Sequence, residues 1–229
     1  MIRVKICGVR DAATLEAAAQ AGAAYVGFVF FPRSPRHLAW DEAAALAAAA
    51  PPGLCKVGLA VDPDDAALER LAALPLDMVQ LHGGESPERV GEVRGRLGLP
   101  VMKAVGVAGP EDLDGLDRYE GVADQILCDA KPAPGADLPG GTGLAFDWRL
   151  LSGRRWSRPW MLAGGLTPAT VGEAIRRTGA TQVDVSSGVE RAPGEKDPAR
   201  VAAFIRAAKA ASSRPGAPAV SVPPRRGMR

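Results

Sequence analysis

Eight short runs rich in Val, Ile and Leu recur along the 229 residues, and stretches of helical period, many of them Ala-rich, lie between them. The repeat is about twenty-five residues, enough for a strand, a helix and two short loops. The runs are RVKIC, AYVGFVF, CKVGLAV, DMVQLH, PVMKAV, DQILCD, PWMLAG and QVDVSS. Helices are predicted to begin after Asp11, Asp41, Pro63, Ser86, Pro110, Phe146, Thr167 and Asp197, and several of these starts are good caps or first-turn prolines. Eight such units fit one (β/α)8 barrel domain over residues 1–210, an α/β fold whose chemistry sits where strands end and loops begin. An open doubly wound sheet is the other arrangement of such units. No GxGxxG follows the first run, however, so dinucleotide binding has no support.

Several runs carry polar residues at alternate positions. Arg3, Lys5 and Cys7 alternate with Ile2, Val4 and Ile6; Gln80 and His82 share a face of the fourth run, Gln125 and Asp129 of the sixth, and Gln182, Asp184 and Ser186 of the eighth. A strand covered on both sides should read as almost continuously apolar, so these groups must face something polar enough to offset their desolvation. An active site is the simplest such place, and all of them are expected to point into one.

Composition narrows the rest. Hydrophobic residues make up 47% of the chain, enough for a large core. There is no long uncharged apolar run, and the charged opening MIRVKICGVR does not read as a signal peptide, so a cytoplasmic protein with no membrane association is expected. Cys7, Cys55 and Cys128 show no CxxC spacing and read as reduced thiols, with no metal site. The formal charge of +2 is set by the last eighteen residues, which hold four Arg and no acid; the remainder has 24 basic and 26 acidic residues, and so no general attraction for nucleic acid. Residues 211–229, rich in Pro and Arg, are expected to be a disordered tail.

Two loops invite a phosphate. Gly164 and Gly165 follow the seventh run, and Ser186, Ser187 and Gly188 close the eighth. Glycines let backbone N–H groups approach an anion, hydroxyls add donors, and a short helix beginning near Gly188 would aim its positive end at it. Cys7 ends the first run beside Gly8, either as an inert buried thiol or as a reactive one. Lys5, two residues back on the same face, would favour its thiolate, while Asp184, on the strand that neighbours the first in a closed barrel, would pair with Lys5 and limit that effect. Asp129 ends the sixth run and opens the segment AKPAPGADLPGGTG, either as a turn cap or as a proton-transferring carboxylate under a mobile lid. Arg36, placed by the prolines of FFPRSPRHL, has a planar fork suited to a carboxylate. His82 reads equally as a substrate contact or a structural histidine, and His37 as a surface residue.

With KICGVR, GFVFFPRSPR, VQLHGGE, GGTGLAFDW, LAGGLTP and DVSSGVE in this order, the chain resembles the phosphoribosylanthranilate isomerases of tryptophan biosynthesis from Met1 to about Lys209. The resemblance implies a TIM barrel of the phosphate-binding type that rearranges N-(5′-phosphoribosyl)anthranilate to 1-(2-carboxyphenylamino)-1-deoxyribulose 5-phosphate without a cofactor, as a monomer or homodimer. It implies Asp129 as general acid, Cys7 as general base, Arg36 on the anthranilate carboxylate, Asp184 near the sugar hydroxyls, and Gly164, Gly165, Ser186, Ser187 and Gly188 on the phosphate. Ala60 stands where the family usually carries an aromatic, so an altered pocket wall is expected; Thr170 replaces a frequent Asn and is expected to loosen the start of the seventh helix. Two competing readings are the histidine-pathway aminoaldose isomerase and a catalytically silent barrel that binds a phosphorylated metabolite. The first would want a second phosphate loop in the first half, and the second would lack Cys7 or Asp129.

Overall fold

The structure is a computed structural model that describes residues 1–132, 135–136 and 138–211. Eight parallel strands close into a barrel, each hydrogen-bonded to the next and the eighth to the first. They are β1 (Arg3–Cys7), β2 (Tyr25–Phe30), β3 (Cys55–Ala60), β4 (Met78–Leu81), β5 (Val101–Val107), β6 (Gln125–Ala130), β7 (Trp160–Leu162) and β8 (Gln182–Val185). All eight lie on the predicted runs. Helices α1 (Ala12–Ala21), α2 (Trp40–Ala49), α3 (Asp65–Ala72), α4 (Pro87–Leu97), α5 (Leu113–Glu120), α6 (Val171–Thr178) and α7 (Pro198–Ala211) wrap the outside.

Local chemistry sets the helix ends. The Asp11 carboxylate accepts from the Thr14 N–H at 2.8 Å, and Ser86 caps α4 with Pro87 in the first turn. Helix α2 starts two residues earlier than predicted because Glu42 reaches back to accept the Ala39 N–H at 3.1 Å. After Phe146 there is no full helix but a single 3₁₀ turn, Trp148–Leu151. Ser152 and Gly153, the latter at φ 73°, stop the chain four residues in, too early for the costly first turn of an α-helix to be repaid by propagation. The start of α6 is not loosened by Thr170: the Thr167 and Thr170 side chains each accept the other's backbone N–H, at 3.2 and 3.0 Å.

Core packing has two shells. Outside the barrel, Val4, Phe28, Leu81 and Ile126 meet helix residues such as Leu68, Val90 and Phe204, and truncating a side chain as buried as Phe204 would cost about 3–5 kcal/mol. Ala60 belongs to this shell, so the missing aromatic alters packing beneath the helices; the pocket wall from this part of the chain is made instead by Leu59 and Val61. Inside the barrel, Val57, Met102, Leu127 and Met161 form an apolar plug. Below the plug, at the N-terminal ends of the strands, Gln182 Oε1 accepts from Tyr25 Oη at 2.8 Å and from Gln125 Nε2 at 3.2 Å, and the Arg3 guanidinium lies over the Tyr25 ring. Gln125 and Gln182 therefore face inward as the alternation requires, but into a closed network at the floor rather than into the mouth, where the expected site lies.

After β8 the chain makes a hairpin that the sequence reading did not anticipate, β9 (Glu190–Ala192) with β10 (Glu195–Lys196), before entering α7. Helix α7 packs on α1, closing the outer ring beside the β1–β8 seam. Residues 212–229, nearly all of the expected tail, and residues 133, 134 and 137 of the expected lid lie outside the described residues.

Candidate active site

One cavity opens at the C-terminal ends of the strands, and all ten predicted site residues line it: Cys7 and Asp184 near its base, Arg36, His82 and Asp129 on its sides, and Gly164, Gly165, Ser186, Ser187 and Gly188 at one end. Strand register explains the base. Lys5 pairs with Asp184 across the β1–β8 seam, and two residues further along β1 the next inward position is Cys7. Lys5 Nζ donates to Asp184 Oδ1 at 3.1 Å with its side chain wholly buried. Burial opposes the ammonium, yet Asp184 and the Cys7 sulfur outweigh it and hold the Lys5 pKa above the ordinary lysine value.

The three thiols differ in surroundings. All are free. Burial pushes Cys128 far up in the outer core and raises Cys55 to about 11. Burial also raises Cys7, but two cations, Lys5 and Lys196, pull in the opposite direction. Gly27 on the neighbouring strand leaves room for this arrangement, because a Cβ there would sit 3.1 Å from Cys7 Sγ and 3.3 Å from Lys5 Nζ.

Asp129 is almost fully buried at the end of β6; its Oδ1 accepts the Ala130 N–H at 2.8 Å, and Oδ2 lies 3.4 Å from His82 Nε2. The other ring nitrogen of His82 lies 3.1 Å from Gln80 Nε2. Gly140 of the loop after β6 lies over both side chains: a Cβ at Gly140 would fall 2.6 Å from Asp129 Oδ2 and from His82 Nε2, so only a glycine lets the loop cover them this closely. At the opposite end, the loops after β7 and β8 pack backbone to backbone beside Leu166 and Gly188. The segment after β8 is a short 3₁₀ turn, Ser187–Val189, not a helix, so donors there come from the loop N–H groups and the two serine hydroxyls.

Arg36 reaches the cavity with part of its fork already engaged. Nε and Nη2 donate to the two carboxylate oxygens of Glu190 at 2.7 and 2.8 Å, and Nη2 also donates to the Gly141 carbonyl at 3.1 Å. Glu190 in turn accepts from Lys196 Nζ at 2.6 Å. Neither Glu190 nor Lys196 was picked out from the sequence. Their signal was the Pro-Gly pair in ERAPGEK, a turn between oppositely charged positions that face each other once the hairpin forms. Among the described residues, no group of three or more His, Cys, Asp and Glu is arranged to hold a metal ion, and no helix is long and apolar enough to cross a membrane.

The family model described as N-(5'phosphoribosyl)anthranilate (PRA) isomerase matches residues 4–207. An N-(5'-phosphoribosyl)anthranilate isomerase of Cereibacter sphaeroides is 66% identical over 209 residues, 91% of this chain and 99% of its own length. The solved phosphoribosyl anthranilate isomerase of Thermotoga maritima is similar at 36% identity and a TM-score of 0.82, covering 92% of this chain and all of its own. Another solved phosphoribosyl anthranilate isomerase, in complex with reduced 1-(o-carboxyphenylamino)-1-deoxyribulose 5-phosphate, is 34% identical with a TM-score of 0.79 and covers 92% of this chain and all of its own.

Proposed function

The chain belongs to the N-(5′-phosphoribosyl)anthranilate isomerase family, and on that premise we propose how the residues at its barrel mouth share out the rearrangement. The reaction is the isomerisation of N-(5′-phosphoribosyl)anthranilate in tryptophan biosynthesis. The observation that carries the assignment of roles is that Cys7 and Asp129, from strands on different sides of the barrel, line one cavity with Arg36 and the glycine and serine loops.

Asp129, protonated, gives its proton to the furanose ring oxygen as the C1–O bond breaks, and the anilino nitrogen lone pair moves in to form an iminium ion. The positive iminium acidifies the C2 proton, which the Cys7 thiolate removes, leaving an enolamine that tautomerises to the ketone. A cationic intermediate beside the sulfur also favours the thiolate over the thiol. Asp184, which Lys5 holds at the lining of the cavity, takes the sugar hydroxyls in this reading. Arg36 takes the anthranilate carboxylate with the nitrogen that Glu190 leaves free, Nη1, beside the apolar patch of Val29, Leu59, Phe31 and Val61 that suits the ring. Backbone N–H groups near Gly164, Gly165 and Gly188, with the Ser186 and Ser187 hydroxyls, take the phosphate. His82 Nε2, 3.4 Å from Asp129 Oδ2, is the side chain beside that carboxylate. The substrate is a small phosphorylated molecule, and we place the reaction in the cytoplasm.

The test is loss of anthranilate-type fluorescence when purified protein meets freshly generated phosphoribosylanthranilate, with Cys7→Ala in parallel. Turnover by the wild type alone supports both reaction and base. Turnover by both would remove Cys7 from the base role, and no turnover by either would point to the histidine-pathway substrate or a silent barrel.

A further inference from the structure

The β9–β10 hairpin supplies two buried ionic groups, Glu190 and Lys196, to which the mechanism above gives no role of their own. Arg36, Glu190 and Lys196 come from the loop after β2, from β9 and from β10, and each is under 10% exposed. Glu190 faces Lys196 across the hairpin register, accepts from Lys196 Nζ at 2.6 Å, and takes the Nε–Nη2 edge of Arg36 with both oxygens at 2.7 and 2.8 Å. Lys196 Nζ also donates to the Ser186 carbonyl at 3.2 Å, which ties the hairpin to the end of β8. The turn of the hairpin is seated on the loop that carries Arg36: Gly194, at φ 81°, approaches Pro35 so closely that a Cβ would fall 2.3 Å from the Pro35 carbonyl oxygen.

A guanidinium is costly to bury and rotates freely about its side-chain bonds, so a carboxylate that grips one edge fixes the direction of the other. That grip alone would neutralise the charge needed to attract a second carboxylate. Lys196 restores it, because two buried cations then share one buried anion; burial pulls the Lys196 pKa below the ordinary lysine value, and Glu190 works against that. Glu190 itself remains an anion: burial opposes its charge, but Arg36 and Lys196 hold its pKa below the ordinary glutamate value.

We propose that Glu190 and Lys196 are positioning residues for this isomerase, Glu190 aiming Arg36 Nη1 at the aryl carboxylate of the substrate and Lys196 keeping the guanidinium end of the chain net positive. The proposal rests on the assignment of Arg36 to the substrate carboxylate. For Glu190 it predicts an effect on binding and not on proton transfer, one that passes through Arg36, whereas Lys196 also bears on Cys7.

The experiment is a double-mutant cycle with Glu190→Gln and Arg36→Met, reading KM and kcat separately. Glu190→Gln should raise KM about tenfold, the size of a lost charged hydrogen bond, with kcat changed much less; in the Arg36→Met background the same substitution should add almost nothing to KM. Glu190→Asp keeps the charge but shortens the reach, so it should fold even where Glu190→Gln does not, and should also raise KM while sparing kcat. An unchanged KM in both Glu190 variants, or an equal increase with and without Arg36, would overturn the positioning role while leaving Arg36 on the carboxylate. An unchanged KM for Arg36→Met alone would instead overturn the carboxylate assignment, and the proposal with it.

Discussion

The two ends of the barrel interior are built from the same pattern and reach opposite results. Polar side chains alternate along β1, β6 and β8 at both ends. At the floor, Tyr25, Gln125 and Gln182 are neutral and satisfy one another, and the Arg3 charge over the Tyr25 ring is exposed to solvent. At the mouth, Lys5, Asp184, Asp129 and Arg36 are ionisable, and Asp129 and Asp184 line the cavity with few partners of their own. Closed neutral networks rigidify a core, whereas groups left partly unmatched can offer protons or charge to a ligand. Alternation therefore locates the barrel interior, and unmatched charge locates the chemistry.

Substitutions at the two ends should separate cleanly. Asp129→Ala and Cys7→Ala should each lower kcat by about 10²–10⁴ fold while the thermal midpoint stays near that of the wild type; a normal kcat in either variant would erase the contrast. Arg36→Met should act next most strongly, raising KM about ten- to a hundredfold with a smaller change in kcat. Because burial raises the Cys7 pKa, its thiolate is scarce in the free enzyme at neutral pH, so the rate of Cys7 alkylation by iodoacetamide, read by mass spectrometry, should climb with pH by up to about tenfold per unit; a rate flat from pH 6 to 9 would argue against a raised thiol pKa. At the floor the smallest effect is expected. Tyr25→Phe should cost about 0.5–1.5 kcal/mol of stability in chemical denaturation and leave turnover untouched, and an activity loss there would show that floor and mouth are coupled.

What could be read from the sequence followed from local rules. Strand alternation put Lys5 and Cys7 on one face, and closure of eight strands placed Asp184 beside Lys5. Both statements need only the period of a strand and the topology of a barrel. The polar glutamines of the floor were misplaced because alternation gives a face but not a height along the barrel. Ala60 was assigned to the wrong shell for a related reason: which face a strand position takes depends on its phase against the neighbouring strand. The missing sixth helix depends on a stop only four residues after its start, at Ser152 and Gly153. The Pro-Gly turn in ERAPGEK could have paired Glu190 with Lys196, but not with Arg36, which lies 154 positions away and meets Glu190 only in the folded barrel.

The seam between β1 and β8 has a consequence in time as well as in space. Lys5 lies 179 positions before its counter-ion Asp184, so during synthesis it emerges long before its partner. A growing chain must therefore hold that cation in solvent until nearly all of the domain has been made. The Lys5–Asp184 pair at the base of the proton-transfer site can form only once β8 has joined β1.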